Sequence, residues 1–333
     1  MKYDYIHKIV HASGVAPGEL VLVHFWGEDT EKPIANAFMA AVASLGATPV
    51  LLQQARSINR RIFEGAAGTC FGESYFQLFS QFDAVLDVFA YQPILLGYQL
   101  EAEQLALYRQ YIARLFSAMM KAKRFVQIRI PTEANAEESG LEPADYIGRM
   151  ERAYDIDYRA LHAACTEARE KLKPMNRLIL ESGTGHRLTF DLTGRDWHID
   201  AGDGDWPCGE IYVAPNEWGT NGSVYFEKLF IEDVGVFTCV TLYVQDGKLI
   251  GSDHEDVTSF IRRLAPENTV VCELGLGMNP NVTDLCGYTV LDEKLAGSFH
   301  IAIGANHMFG GQNVASMHLD FVSAAAFRLL PMA

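Results

Sequence analysis

The chain has 333 residues, of which 49% are hydrophobic and 21% charged, which is the composition of an ordinary globular protein. This length exceeds what one hydrophobic core usually serves, so two domains are expected. The formal net charge of −15 argues against nucleic acid or an anionic membrane as a partner, and it favours cations and positively charged amino termini as ligands.

The cysteines and the first residues bear on the cellular location. The six cysteines include no Cys-x-x-Cys pair and are interpreted as free thiols of a reducing compartment. The opening sequence MKYDYIH contains no apolar signal region, and no apolar run approaches the roughly 18 residues needed to cross a bilayer. A cytoplasmic protein is therefore expected.

The first half of the chain alternates apolar strands with helices. Apolar runs predict strands at 19–26, 48–53, 84–89 and 124–130, and helical patterns predict helices at 32–45, 101–121 and 143–172. Strands that are apolar on both faces and separated by helices are typical of a parallel α/β layer. Lys173-Pro174 is the expected boundary after the last helix, which gives an α/β domain over residues 1–174.

The remainder, residues 175–333, has a pattern of short strands and turns. Strands are predicted at 176–181 and 187–192, and a hairpin at 240–250 is expected to turn at Asp246-Gly247. The loop DAGDGD at 200–205 lacks the ligand spacing of a calcium-binding loop and is interpreted as a cluster of turns. We therefore expect a β-rich α+β domain, which carries the candidate functional residues.

Four potential metal ligands lie on segments of this second half that are predicted to be strands or strand ends. Because side chains alternate between faces along a strand, His318 and Asp320 should point to the same side. By the same parity, His300 and Glu273 each lie on a face that also carries a nearby glycine. Glycines at such places let a backbone bend or approach another group closely.

Glu210 lies on a further predicted strand and completes a set of five carboxylate and imidazole groups. These groups suit Zn, Mn, Co or Fe, and a surplus over one tetrahedral shell indicates two ions that share a bridging ligand. Any one of these residues is more often a hydrogen-bonded or salt-bridged strand residue than a ligand. Here the same ligand types occur at four predicted strand ends with nearby glycines, within about a hundred residues. This repetition favours a metal site over isolated hydrogen-bonded residues.

Four motifs follow one another in the second half of the chain. They are GEIYVAP at 209–215, ELGLGMNP at 273–280, LDEKLAGSFHIAIG at 291–304 and HLD at 318–320. In this order they resemble the thermophilic aminopeptidases, also called the aminopeptidase T family of metallopeptidases. The resemblance is close over residues 180–325 and covers the N-terminal half in outline, and it implies a peptide substrate and a homodimer.

The resemblance implies that the five carboxylate and imidazole residues ligate a pair of divalent ions, namely Zn, Co or Mn: Glu210, Glu273, His300, His318 and Asp320. In that family, a tyrosine seven residues after the first histidine approaches the metals. This chain has His307 there, so an imidazole in place of the phenol is a sixth candidate ligand. The substitution is equally compatible with an altered metal preference or an altered reaction.

Three residues are candidates for catalytic roles. Glu210 or Glu273 would either bridge the ions or act as general base, and the sequence leaves that choice open. Lys294 lies in the third motif, where a turn near the cleft would let its charge stabilise a tetrahedral oxyanion. An isolated lysine is otherwise usually a solvated surface residue.

Ring-cleaving dihydroxypyridine dioxygenases are a second group that the chain resembles, because they share the scaffold and hold one Fe(II) with two histidines and an aspartate. In those enzymes a histidine takes the place of Glu273 and the first glutamate is lost. This chain keeps both carboxylates, which favours the two-ion hydrolase. His307 weakens that preference, since it offers a second imidazole beside His318 and Asp320.

These observations predict a metal-dependent hydrolase, an aminopeptidase that releases N-terminal residues from short peptides or acts on a related amide through water activated by two metal ions. One alternative is a mononuclear Fe(II) ring-cleaving dioxygenase. The other, from a different class, is a non-catalytic protein that binds a small molecule on the same scaffold.

Overall fold

The computed structural model describes residues 4–93, 100–232 and 234–332. By the packing of its backbone, the chain divides into two compact units, Met1–Asp155 with Gly202–Pro207, and Ile156–Ala201 with Cys208–Ala333. The boundary predicted at Lys173-Pro174 falls inside the second unit, and the division into domains 1–174 and 175–333 stays a prediction.

The helices and strands have the following bounds within the described residues. The α-helices are α1 (Asp4–Ala12), α2 (Lys32–Ser44), α3 (Arg56–Gly65), α4 (Glu73–Phe79), α5 (Ala102–Met119), α6 (Glu133–Glu138), α7 (Pro143–Tyr154), α8 (Tyr158–Leu172), α9 (Glu255–Arg262) and α10 (Thr289–Asp292). The strands are β1 (Leu20–Trp26), β2 (Thr48–Gln53), β3 (Ala84–Phe89), β4 (Arg124–Arg129), β5 (Arg177–Ser182), β6 (His186–Asp191), β7 (His198–Asp200), β8 (Asp205–Trp206), β9 (Glu210–Val213), β10 (Asn221–Ile231), β11 (Gly235–Gln245), β12 (Lys248–Ser252), β13 (Val271–Gly277), β14 (Phe299–Gly304), β15 (His318–Ser323) and β16 (Phe327–Pro331). No helix in the described ranges has the length and the apolar composition needed to cross a membrane.

The first unit is built on a parallel sheet with the strand order β2-β1-β3-β4-β8. β1 and β3 are buried along almost their whole length, as expected for apolar strands covered on both faces. Side chains of α3, α4 and α5 pack with these strands in one aromatic-rich core. The predicted parallel α/β layer is confirmed, and its four predicted strands differ from the observed ones by at most one residue.

The single helix predicted over residues 143–172 is wrong, because this segment forms two helices, α7 and α8. Asp155 departs from helical geometry at φ −85° and ψ 64°. Asp157 then begins α8 by accepting hydrogen bonds from the backbone N–H groups of Arg159 and Ala160 at 3.0 and 3.1 Å. Apolar periodicity continues through the break, so the capping aspartate is the local signal that marks it.

The second unit contains two antiparallel sheets, ordered β12-β11-β10-β6-β5-β16 and β15-β14-β13-β9-β7. The predicted hairpin is observed between β11 and β12, where Asp246 and Gly247 have positive φ angles of 48° and 74°. A Cβ on Gly247 would lie 1.6 Å from the carbonyl oxygen of Glu217, so this turn requires glycine. The long partner strand β10 is not among the predicted strands.

Candidate metal centre

The sheet β15-β14-β13-β9-β7 collects the candidate ligands on one face. Glu210 and Tyr212 are two residues apart on β9 and therefore point to the same side. Tyr212 pairs with Gly275 of β13, and Gly275 pairs with His300 of β14. Tyr212, Gly275 and His300 thus form one row across the sheet, with the glycine between the two large side chains, while Glu210 pairs with Gly277.

A second row, on the same face, carries the remaining ligands. Glu273 of β13 pairs with Ala302 of β14, which in turn pairs with Asp320 of β15. His318 stands two residues before Asp320 and pairs with Gly304. The shared face that strand parity predicts for His318 and Asp320 is therefore observed.

Small residues leave room for these ligands on the face of the sheet that carries them. A Cβ on Gly275 would lie 1.9 Å from Nε2 of His300, so the imidazole lies over bare backbone. A Cβ on Gly304 would lie 2.1 Å from the carbonyl oxygen of Met317, so this glycine permits the close approach of β15. Glycine and alanine in these rows thus create a hollow that larger residues would fill.

The first ligand group consists of Glu210, Glu273 and His300, all three of them buried. Nε2 of His300 lies 3.1 Å from Oε1 of Glu273 and 3.4 Å from Oε2 of Glu210. One ligand atom from each of the three residues lies within 4.8 Å of the others. This spacing allows a single ion to contact all three residues.

The second ligand group consists of Glu273, His318 and Asp320, and it meets the same 4.8 Å criterion. Nε2 of His318 lies 3.6 Å from Oε2 of Glu273 and 3.5 Å from Oδ2 of Asp320. Glu273 belongs to both groups, with Oε1 near one imidazole and Oε2 near the other. The His318 side chain is 33% exposed whereas that of His300 is fully buried, so the second group is the more accessible one.

The orientation of His318 is fixed through its other ring nitrogen. Nδ1 lies 2.9 Å from the carbonyl oxygen of Ala305, which matches donation of an N–H to the backbone and leaves Nε2 facing the carboxylates. Metal-binding histidines are commonly oriented in this way. Burial raises the pKa of the nearby Cys272 thiol to about 11. Cys272 belongs to neither ligand group of the described residues.

Lys294 is buried behind the first group. Its Nζ lies 2.5 Å from Oε1 of Glu210, 2.8 Å from Oε1 of Glu293 and 3.7 Å from Oδ2 of Asp200. The side chain is only 1% exposed. The charge expected to stabilise an oxyanion is thus directed at carboxylates, two of which, Asp200 and Glu293, are not among the predicted site residues.

Five carboxylates surround this one ammonium group and the two imidazoles: Asp200, Glu210, Glu273, Glu293 and Asp320. Burial, together with the charges of Glu293 and Glu273, raises the pKa of Glu210 to about 8. Burial lowers the pKa of His300, but the Glu273 hydrogen bond and the Glu210 charge outweigh it and raise the pKa to about 9. Excess negative charge thus dominates the cluster.

Two buried carboxylate oxygens have no hydrogen-bond partner within the described ranges, Oε2 of Glu210 and Oδ1 of Asp320. Buried oxygens of this kind are costly unless a donor or a cation satisfies them. One of the two belongs to each ligand group. Oxygen and imidazole donors without a thiolate suit Zn, Mn, Co or Fe, so the residues fit divalent metal ions.

His307 is the one predicted ligand that the structure does not bring into either group. It lies in the turn after β14, and its side chain is exposed. Its role as a ligand or as a substrate contact therefore stays a prediction.

Three aromatic rings stand beside the ligands and are not among the predicted site residues. Tyr212 stacks on His198 with ring centroids 5.3 Å apart. Phe309 packs edge-on against Tyr212 at 5.5 Å and against His318 at 5.9 Å. The parity of β9 was a sequence signal for Tyr212, whereas Phe309 lies in a loop without a periodic pattern.

The ligand cluster fits a metal-dependent enzyme, and a family match makes that class a metal-dependent hydrolase. Residues 9–325 match the thermophilic metalloprotease (M29) family, and the chain belongs to this family of metal-dependent peptidases. The resemblance indicated by the four sequence motifs is thereby confirmed. A comparison with curated protein sequences gave no match.

The solved structures that share the fold include the following two. Wild-type AmpT from Thermus thermophilus is 17% identical with a TM-score of 0.68, and the match covers 98% of this chain and 94% of AmpT. The 2,5-dihydroxypyridine dioxygenase from Pseudomonas putida KT2440 is 16% identical with a TM-score of 0.66, over 98% of this chain and 92% of the dioxygenase. At these identities the likeness establishes the fold and leaves the reaction to the site residues.

Proposed function

We propose that this protein is an aminopeptidase that releases N-terminal residues from short peptides through water activated by two divalent ions, either Zn, Co or Mn. The observation that carries the proposal is the pair of ligand groups that share Glu273. Five ligand residues exceed one tetrahedral shell, and a carboxylate with one oxygen toward each group fits a bridging ligand.

Each ligand has a position in this proposal. Glu210 and His300 would hold the deeper ion, His318 and Asp320 would hold the more accessible ion, and Glu273 would contact both. When bound, the ions would polarise the scissile carbonyl and lower the pKa of a water molecule. The surrounding carboxylates would attract the positively charged amino terminus of a peptide to the side where His318 is exposed.

The Fe(II) dioxygenase alternative has less support. Its iron needs two imidazoles and one carboxylate, whereas the accessible group here has a single imidazole, His318, with Glu273 and Asp320. His307 would have to supply the second imidazole, and it belongs to neither ligand group of the described residues. A non-catalytic binding protein disagrees with membership of a metallopeptidase family.

The purified protein is expected to hold two divalent ions per chain in elemental analysis. The same preparation should release the chromophore from aminoacyl-p-nitroanilides and not from their N-acetylated counterparts, because the proposal requires a free, positively charged amino terminus. One iron per chain with oxygen consumption on a dihydroxypyridine would establish the dioxygenase instead. Absence of turnover with added Zn, Co or Mn would contradict the peptidase.

We also propose a homodimer located in the cytoplasm. The dimer rests on the family resemblance, and the location rests on composition and cysteine usage. Sedimentation equilibrium tests the dimer, and cell fractionation with an antibody tests the location.

A further inference from the structure

Lys294 occupies an unusual place for a lysine, because lysines are rarely buried unless they are paired. Its Nζ contacts Oε1 of Glu210 at 2.5 Å and Oε1 of Glu293 at 2.8 Å, with Oδ2 of Asp200 at 3.7 Å. Its backbone carbonyl accepts a hydrogen bond from the N–H of Asn279 at 2.8 Å. The ammonium group is therefore held in place from the side chain and from the main chain.

The two oxygens of Glu210 have different surroundings. Lys294 occupies Oε1, while Oε2 has no hydrogen-bond partner in the described part of the chain and lies 3.4 Å from Nε2 of His300. A short, charge-assisted hydrogen bond to one oxygen restricts the rotation of a carboxylate. The contact with Lys294 thus directs the other oxygen of Glu210 toward the deeper ligand group.

The charge of Lys294 acts on the same group. Glu210 and Glu293 both contact the ammonium, which keeps two buried carboxylates close together despite their repulsion. With Lys294 removed, Glu210 would be free to turn away from Glu293 and from His300. The deeper group would then lose one of its three ligand residues.

We infer that Lys294 is a positioning residue that presents Glu210 to the deeper ion, so that binding of the second ion per chain depends on it. The inference rests on the proposed two-ion site. It gives Lys294 a different part from a direct contact with the substrate oxyanion, and the two are separable because they change different quantities. Loss of positioning changes ion binding, whereas loss of an oxyanion contact changes turnover at full ion content.

The test is a titration of metal-free protein with Mn(II). Calorimetry and the electron paramagnetic resonance signal of free Mn(II) measure how many ions bind and how tightly. Wild type is compared with Lys294→Met and Lys294→Arg. Lys248→Met is the matched control, because Lys248 lies on β12 of the same unit, where it contacts the ring of Trp218.

Wild type and Lys248→Met are expected to bind two ions. Lys294→Met is expected to bind one ion tightly and the second about 100-fold more weakly, the upper range for loss of a group that orients a metal ligand. Lys294→Arg keeps the charge and should restore part of the second affinity. If Lys294→Met fails to fold by circular dichroism, Lys294→Gln replaces it, and weaker binding of the second ion is again expected because the amide supplies no charge and at most a neutral hydrogen bond.

Two ions bound by Lys294→Met with wild-type affinity would overturn the inference. Reduced turnover of that variant at full ion content would support the alternative role, in which Lys294 stabilises the substrate oxyanion. Fewer than two ions in wild type would instead contradict the proposed two-ion function. The two failures are therefore distinguishable in one experiment.

Discussion

His318 and Asp320 are the ligands whose removal tests the site most directly, because His318 is the most exposed ligand of the cluster, at 33%, and Asp320 lies 3.5 Å from its Nε2. His318→Ala or Asp320→Ala is expected to abolish activity and to reduce the bound metal, since each removes one of three residues of its group. The fold should persist, because the strands pair through backbone hydrogen bonds that do not use these side chains. Metal analysis and far-ultraviolet circular dichroism on the same samples measure both effects.

Asp320→Asn is the matched control for shape, because it keeps the size of the side chain and removes the charge. Full activity in His318→Ala would remove the central claim about this site. Global unfolding of either alanine variant would show instead that the cluster is structural.

His307 replaces the tyrosine of the resembling family, and its predicted role has a clear test. His307→Ala is expected to lower turnover by about 100-fold, as loss of one preorganised donor typically does. His307→Tyr should recover part of the peptidase activity, because it restores the group of the family. Metal content separates the two predicted roles, since it falls for a ligand and stays normal for a substrate contact. Unchanged turnover in His307→Ala would show that His307 is an exposed turn residue with no role in metal binding or catalysis.

Alternation along a strand is sufficient to predict that His318 and Asp320 share a face, because that parity depends only on neighbouring residues. The contact between Lys294 and Glu210 joins residues 84 positions apart and has no such local signature. The buried position of Lys294 was therefore not predictable from the motif that contains it. Long-range pairing of charges depends on which strands become neighbours, and a single sequence does not state that order.

The start of α8 illustrates the same limit at the level of an element. Helical periodicity runs from residue 143 to 172, yet the chain bends at residues 155–157 and restarts with Asp157 as the N-cap. Aspartate is a strong N-cap because its carboxylate accepts hydrogen bonds from the free N–H groups of the first turn. The type of element was predictable there, whereas the interruption depended on a cap inside an apparently continuous pattern.

Asp157→Ala is expected to destabilise the protein by about 1 kcal/mol, the typical value for loss of an N-cap. The two hydrogen bonds to the backbone of Arg159 and Ala160 would be lost. Urea denaturation measures the change, and Asp157→Asn should remain close to wild type because asparagine caps equally well. A midpoint for Asp157→Ala equal to that of wild type would show that the cap contributes nothing to stability.

The loop between β14 and β15 is an element that periodicity does not describe. Glu217 accepts hydrogen bonds from the N–H of Gln312 at 2.6 Å and from the side chain of Asn306 at 3.3 Å. Asn306 in turn accepts a hydrogen bond from the N–H of Asn313 at 2.9 Å. Polar side chains thus hold the loop that carries Phe309, and such contacts leave no repeating signal in the sequence.

At the level of the whole molecule, the parallel α/β layer was predictable because its strands are continuous apolar runs separated by helices. The antiparallel part was predictable as a class from its short strands and turn residues. Its strand order was not, and the pairing of β9 with β13 is what brings Glu210 beside Glu273. The candidate ligand residues could therefore be predicted from the sequence. Their arrangement in two groups could not, because it depends on which strands pair.

The second unit concentrates negative charge in a way that should tie its stability to metal. Five carboxylates lie around one buried ammonium and two imidazoles there, and two buried carboxylate oxygens have no hydrogen-bond partner among the described residues. The first unit contains no comparable group of ligand side chains within the ranges that the structure describes. Metal binding should therefore stabilise one unit selectively.

Chelation is expected to lower the melting temperature of the second unit. A ligand present at a thousand times its dissociation constant stabilises the folded state by about 4 kcal/mol, which corresponds to roughly 8–16 °C for a unit of this size. Differential scanning calorimetry with a chelator, and again after Zn(II) or Mn(II) is restored, measures the shift and its reversal. Any separate transition of the first unit should stay fixed, and His318→Ala should reduce the shift because it removes a ligand of the accessible ion. Identical transitions of wild type with two ions bound and with none would contradict the view that cations neutralise this buried cluster.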